Sequence, residues 1–367
     1  MHKNCLFIAI HKEPESFIEL GNLLNSLKIT YKDAGVDLAK IKTAHKTIEN
    51  LISDTHKFKT GILSGYGHYA GLLEIGNNKV IAMHTDGVGT KVLIAQMAKR
   101  FDTVGIDCIA MNVNDVICVG AEPIAFVDYI AVRKANERLV HEIMKGLVEG
   151  ARQADVAIVG GETAVMPDVI TGYEQAFDLA GTVIGMADKD KLVLGNKIAY
   201  DDIIVGVESN GLHSNGYSLV RKVLLRKYKI RQKVSELGST LADELLRPTR
   251  IYVKPVMEIL KGVEVHGLAH ITGGAFTKLT RLTKRFGFEL GSMPEPHEIF
   301  KLIQKHTKIS DREMYSTFNM GVGLCVIVPK GVEDAAMDTF RRHGMRSSVI
   351  GKMVDTSGVY IGKLKIA

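Results

Sequence analysis

Cysteine is scarce in this chain, and its four cysteines (Cys5, Cys108, Cys118 and Cys325) are scattered with no Cys-x-x-Cys pair. Neither a zinc site nor a disulfide framework is indicated, and a reducing cytosol suits this usage best. Also missing is any apolar run near the roughly eighteen residues of a membrane helix, and the opening CLFIAI is too short for a typical signal core. A soluble, cytoplasmic protein with no membrane partner is expected. No G-x-x-x-x-G-K-[ST] loop, G-x-G-x-x-G fingerprint, nucleophile elbow or H-E-x-x-H helix can be read from the chain. P-loop nucleotide hydrolysis, dinucleotide-dependent hydride transfer, triad hydrolysis and zinc proteolysis are therefore set aside.

What is present is length, glycine and alternation. At 367 residues two domains are the expectation, and 46% apolar with 24% charged residues are globular values. The 36 glycines fall in clusters, the mark of tight turns and of backbone that approaches a ligand closely. The net charge of +6 suits anionic small molecules better than nucleic acid. Its densest stretch, RKVLLRKYKIRQK at 221–233, holds seven basic residues and no acid, yet only Tyr228 could stack on a base. It reads as a solvated helix face running into a loop, with no nucleic-acid partner expected.

Residues 1–29 read as an N-terminal appendage, with a short amphipathic helix suggested by Leu20, Leu23, Leu24 and Leu27. From Val80 onward short apolar runs alternate with helical stretches, an α/β signature. Strands are expected at 80–83, 124–130, 156–159, 179–184, 203–207 and 322–328, and helices at 104–119, 137–153, 215–228 and 332–343. The polar stretch 188–202 separates two strand patterns, so an N-terminal domain over 30–195 and a C-terminal domain over 196–367 are expected.

Candidate chemistry gathers in six stretches. HTDGVGTK at 84–91 follows an apolar run but has the wrong spacing for a phosphate loop, which leaves Asp86 unexplained. In MNVNDV, Asn112 and Asp115 lie three apart and share a helix face, and a buried aspartate is costly unless paired or bound to a cation. If that face meets the end of the strand before Asp86, the two aspartates could bracket Mg²⁺, with Lys91 as counter-charge to a phosphate. A helix cap and a hydrogen-bond network remain the alternative. SGYGHYAG at 64–71 could fold over a nucleotide or be a flexible loop. In GGETAVMP the glycines at 160 and 161 follow a strand pattern, with Glu162 a further metal or ribose contact. The loop His213, Ser214, Asn215, Gly216 precedes a helical pattern and suits a substrate phosphate, and His213 titrates near neutrality. HITGG at 270–274 offers His270 and Thr272.

Taken in order, YKDAGVD (31–37), DGVGTK (86–91), MNVNDVICVGAEP (111–123), GGETAVMP, HSNGYSLVR (213–221), PTRIYV (248–253), HITGG and TFNMGVG (317–323) closely resemble the phosphoribosylformylglycinamidine cyclo-ligases, or AIR synthetases. The resemblance implies a two-domain AIR synthetase-like fold, with an N-terminal α/β domain whose strands form a barrel across a homodimer and a C-terminal α/β domain. It implies ATP-dependent closure of formylglycinamidine ribonucleotide to aminoimidazole ribonucleotide in purine biosynthesis, with Mg²⁺ and without a P-loop. Carried over by residue, it implies Asp86 and Asp115 at the metal. ATP would be met by Gly65, Gly67, Asp86, Gly87, Gly89, Thr90, Lys91, Asn112, Gly160, Gly161 and Glu162. Substrate would be met by His213, Ser214, Asn215, Gly216, Thr272 and Gly273, with His213, Asp115 and Lys91 catalytic. The chain departs from the family pattern at His68 and Ala275, where glycine is common, and at Val165, where glutamate is usual. Members of the same superfamily with other chemistries fit less well, since Cys5 lacks the setting of a selenium-handling cysteine and the thiamine-monophosphate kinases lack HSNGYS and PTRIYV. A nucleotide- or RNA-binding module without turnover is the reading from another class.

Overall fold

The computed structural model describes residues 29–63 and 67–367. The helix expected near Leu20–Leu27 and the glycine at 65 lie outside the described residues. The first half runs α1 (Leu38–Ser53), β1 (Gly71–Gly76), β2 (Lys79–Gly87), α2 (Val92–Ala98), α3 (Val104–Ile117), β3 (Glu122–Val132), α4 (Glu137–Ala154), β4 (Ala157–Val165) and β5 (Phe177–Asp188). There follow β6 (Ile203–Glu208), α5 (Tyr217–Leu224), β7 (Lys233–Val234), β8 (Ser239–Thr240), α6 (Leu241–Leu245), α7 (Val253–Gly262), β9 (Gly267–His270) and β10 (Gly287–Leu290). The chain ends with α8 (Glu298–Thr307), α9 (Asp311–Thr317), β11 (Val322–Val328), α10 (Glu333–Arg342), β12 (Ser347–Val354), β13 (Gly358–Ile361) and β14 (Leu364–Lys365).

Strands β1 to β5 form one sheet in the order β1-β2-β5-β3-β4. Alternation along them separates two faces. Val80, Ala82, Phe126, Ile130, Leu179 and Val183 are buried on the face that carries α3. Helices α3 and α4 touch at backbone distance: a Cβ on Gly105 would lie 2.2 Å from the Leu147 nitrogen, and one on Gly146 2.2 Å from the Asp102 oxygen. Only glycine permits that approach. Helix α4 starts where the Asn136 side chain accepts the Leu139 amide, an N-cap that satisfies one of the free first-turn donors. The other face of the sheet is open and apolar, with Met83, Ile124, Val127, Tyr129 and Ile184 all more than a third exposed.

The second sheet has the order β14-β13-β10-β12-β6-β11-β9. Every residue of β11 is buried, as expected of a strand flanked on both edges by β6 and β9, and this explains its unbroken apolar run. Within the described residues the expected strands and helices appear, with two changes. Strand β4 continues through GGETAV instead of ending before it, so Gly160, Gly161 and Glu162 lie inside a strand that, among the described residues, pairs with β3 alone. Asp128 sets that need for glycine, because a Cβ on Gly161 would lie 2.4 Å from its Oδ1. Helix α5 ends at Leu224, not Tyr228, so the basic run is divided among a helix, turns and β7. Tyr228, its only stacking residue, packs edge-on against His306 and hydrogen-bonds it at 3.1 Å. Among the described residues no helix is long and apolar enough to cross a membrane.

Candidate active site

Helix α3 is the platform. Its residues from Val104 to Ile117 are buried apart from Ile106, so the polar side chains Asp107, Asn112, Asn114 and Asp115 must each find partners. Asp115 Oδ1 accepts from His270 Nδ1 at 2.7 Å, while its Oδ2 stands 3.6 Å from His84 Nε2. Asn114 accepts the Tyr252 amide at 3.0 Å, donates to the Arg250 carbonyl at 2.8 Å and reaches His270 Nε2 at 3.4 Å. One tautomer satisfies this set: His270 is neutral, donates from Nδ1 to Asp115 and accepts at Nε2 from Asn114. Burial lowers the His270 pKa and thereby favours that neutral form, against the pull of Asp115.

Asp115 itself stays ionised. Burial works against its charge, but the Lys278 ammonium and the His270 hydrogen bond oppose burial and hold its pKa well below the usual carboxylate range. Lys278 comes from the 3₁₀ turn Ala275–Arg281, hydrogen-bonds Thr272 Oγ1 and lies over the ring of the buried Tyr69. Sequence reading overlooked it. The signal was its place four residues after HITGG, where a turn can carry it back over that loop.

Asp86 sits near the end of β2, beside α3, with Oδ1 accepting the Gly87 amide at 2.8 Å. Burial and the nearby Asp115 charge push its pKa up. Asn112 donates to the Asp86 and Cys108 carbonyls at 3.1 and 2.9 Å, and its Oδ1 is buried with no hydrogen-bond partner among the described residues. An orphaned acceptor beside a carboxylate is a donor set for a cation. Among the described residues no three His, Cys, Asp or Glu side chains converge on a metal cage. The arrangement therefore suits Mg²⁺ that arrives with phosphate oxygens of its own, as that ion prefers.

Lys91 departs from expectation. Its side chain is fully buried, 2.7 Å from Asp107 Oδ2, and it donates to the His213 and Arg247 carbonyls at 3.2 and 2.6 Å. Those partners use all three of its N–H donors, so it is no free counter-charge for a phosphate. Ser214 is likewise turned inward, its hydroxyl 3.1 Å from both Asp107 Oδ1 and Thr249 Oγ1, and it does not offer itself to a substrate phosphate. Gly87 closes β2, and Gly89, at φ +67°, opens the short turn before α2 with Thr90 exposed beside it.

His213 is 1% exposed and adopts φ +59°, a left-handed conformation uncommon for a residue with a side chain. Its Nε2 accepts the Asn210 amide at 3.0 Å, and its Nδ1 is buried with no partner among the described residues. The proton therefore resides on Nδ1, where it is free for a ligand. Burial, reinforced by the positive charges of Lys91 and Arg250, holds the ring neutral by pushing its pKa well down. Beside it, Asn215 Oδ1 lies 2.8 Å from where a Cβ on Gly273 would be, and Asn215 Nδ2 also lacks a partner among the described residues. Gly216 meets the Tyr31 hydroxyl, joining YKDAGVD to this loop.

The segment from Gly67 to Leu73 lines a cavity of about 670 Å³ that also takes in His56, Lys59, His84 and Arg281 and, among the described residues, includes no acidic side chain. A larger cleft of about 860 Å³ balances Lys99, Arg100 and Arg138 against Asp102, Glu142 and Glu174 and contains none of the site residues. The departures are placed as follows. His68 lines the first cavity, Val165 is exposed on β4, and Ala275 holds φ +43°, where glycine would be unstrained. Gly160, Gly161 and Glu162 are not brought to Asp86, since β5 and β3 intervene between β2 and β4.

Residues 67–187 match the family description "AIR synthase related protein, N-terminal domain" and residues 200–363 the corresponding C-terminal domain. A phosphoribosylformylglycinamidine cyclo-ligase of Pyrococcus horikoshii is 50% identical over 329 residues, covering 89% of this chain and 95% of its own. One from Methanocaldococcus jannaschii is 47% identical over 344 residues, covering 92% and 95%. Among solved structures, a thiamine-monophosphate kinase from Stenotrophomonas maltophilia aligns at TM-score 0.60 and 19% identity, covering 87% of this chain and 96% of that one. A hydrogenase maturation protein in complex with ATP aligns at TM-score 0.56 and 19% identity, covering 84% and 86%; at such identity these two speak for the fold alone. With both halves of the chain matched and nearly half its residues shared with full-length relatives, the chain belongs to the phosphoribosylformylglycinamidine cyclo-ligase family of AIR synthase related ligases.

Proposed function

We propose that the protein is a cytoplasmic homodimer that closes the imidazole ring of formylglycinamidine ribonucleotide, using ATP and releasing ADP and phosphate, to give aminoimidazole ribonucleotide in purine biosynthesis. The observation that carries this reading is the convergence of the neutral His213, with its unpartnered Nδ1–H, and the Asp115–His270 pair on residues held by one helix.

The formyl oxygen is a poor leaving group until it is phosphorylated. Transfer of the γ-phosphoryl group to it breaks the bond to ADP, the neighbouring nitrogen attacks the activated carbon, and the oxygen departs with phosphate. Catalysis then consists of alignment and of neutralising charge as it moves. Asp86, Asp115 and Asn112 Oδ1 would hold Mg²⁺, which when bound supplies positive charge to the nucleotide phosphates. Lys278 takes over the cationic part expected of Lys91, because it lies on the Asp115 side of the site and is only half-buried. His213 donates from Nδ1 to the substrate, orienting the formyl group. Asn215, Gly216, Thr272 and Gly273 form the substrate wall. The acid-free cavity behind Gly67 and His68 suits the polyanionic nucleotide. In a homodimer the second copy would cover the open apolar face of the first sheet and its exposed edge strand β4, the edge that carries Gly160, Gly161 and Glu162.

Isotope transfer tests the chemistry. With ¹⁸O in the formyl oxygen of the substrate, the label is expected in the inorganic phosphate. Label released as water would contradict phosphoryl activation.

A further inference from the structure

We propose that Lys91 and Asp107 form a buried latch that sets the direction of the His213 ring; the role in turnover rests on the cyclisation reading above. The two side chains are fully buried and paired at 2.7 Å. Lys91 gives its remaining donors to the carbonyls of His213 and Arg247. Asp107 Oδ1 receives the Thr249 amide and hydroxyl, both at 2.7 Å, and the Ser214 hydroxyl at 3.1 Å. Two loops, one around 213–214 and one around 247–249, are thereby tied to α3, the helix that carries Asn112, Asn114 and Asp115.

Stability alone does not account for such a pair, since a buried ion pair can often be exchanged for apolar residues of similar volume without loss. Geometry does account for it. A residue with a Cβ stays at φ +59° only when its surroundings fix it, and here Lys91 holds the His213 carbonyl while the Asn210 amide holds Nε2. The consequence is a ring of one tautomer whose Nδ1–H is left without a protein partner. The latch residues touch no reacting atom. They are positioning residues, and they register His213 against Asp115 through a single rigid element.

The test is the full-length double variant Lys91→Met with Asp107→Leu, compared with wild type by thermal midpoint, by kinetics with Mg²⁺-ATP and formylglycinamidine ribonucleotide, and by the ¹⁵N resonances of His213. The variant is expected to fold, to keep KM for ATP within about threefold, to lose about 10- to 100-fold in kcat through misplacement, and to show His213 in mixed tautomers. A folded variant with wild-type kcat and the single wild-type tautomer would overturn the latch. If wild type itself lacked cyclisation, the functional reading would fail while the tautomer comparison still decided the latch. Should the double variant not fold, Ser214→Ala with Thr249→Val keeps the ion pair but cuts two of its grips. Unchanged His213 resonances there would equally overturn the proposal.

Discussion

His270 donates from Nδ1 to Asp115 at 2.7 Å, while Asn114, the residue before Asp115 on α3, reaches the other ring nitrogen at 3.4 Å. One helix thus fixes both the charge of a carboxylate and the tautomer of the imidazole that faces it, although the histidine comes from the second sheet.

Removing the charge but keeping the shape separates these parts. Asp115→Asn still accepts the His270 proton, so the thermal midpoint is expected to move little. Loss of the negative charge beside Lys278 is expected to lower kcat at least about 100-fold. Steady-state kinetics beside a melting curve checks this, and a folded variant with wild-type kcat would remove Asp115 from the mechanism.

The buried imidazole of His213 makes stability depend on acid. Above about pH 6.5 the ring is neutral both folded and unfolded, and it contributes nothing. As pH falls through that value the unfolded chain binds a proton that the folded site resists, so stability falls by up to about 1.4 kcal/mol per pH unit. His213→Gln retains an acceptor for the Asn210 amide without titrating. Urea unfolding between roughly pH 6.5 and 5 is expected to show a shallower loss in the variant, and its kcat is expected to drop about 10²- to 10⁴-fold. Equal slopes would mean that the ring is not held neutral.

Gly323, within TFNMGVG, leaves room for the site. A Cβ there would lie 2.0 Å from the Tyr252 hydroxyl and 2.7 Å from His213 Cε1. Gly323→Ala is expected to cost about 1–3 kcal/mol by overpacking and to lower activity at the same time. Retained stability and kcat together would show that the ring moves aside freely.

The open sheet face makes a claim about assembly. Val127 and Ile184 are 39% and 37% exposed on it. Val127→Lys with Ile184→Glu is expected to turn a dimer into a monomer in analytical ultracentrifugation, with secondary structure intact. A dimer that survives both changes must use another surface.

Most of the layout was legible because local pattern and tertiary role coincide. The unbroken apolar run of β11 reads as a central strand because burial on both faces asks for apolar residues throughout, and Asn112 and Asp115 read as one helix face because positions three apart in a helix share a side. What stayed hidden depends on direction and distance. Lys91 sits in a glycine-rich motif with an aspartate five residues before it, yet its partner Asp107 is sixteen residues away on a different element, and nothing in the spacing shows that the lysine turns inward. Lys278 lies in a short 3₁₀ turn with no periodic signal. The glycines of β4 resemble a loop, and only the Asp128 side chain and carbonyl pressed against position 161 reveal why the strand requires glycine there.

ADP release in the presence of Mg²⁺-ATP, measured with and without formylglycinamidine ribonucleotide, tests the central claim most directly. Release that depends on the ribonucleotide and matches aminoimidazole ribonucleotide formed one for one is the predicted result. A folded, ATP-binding protein that releases no ADP when the ribonucleotide is added, or releases it equally without, would contradict it.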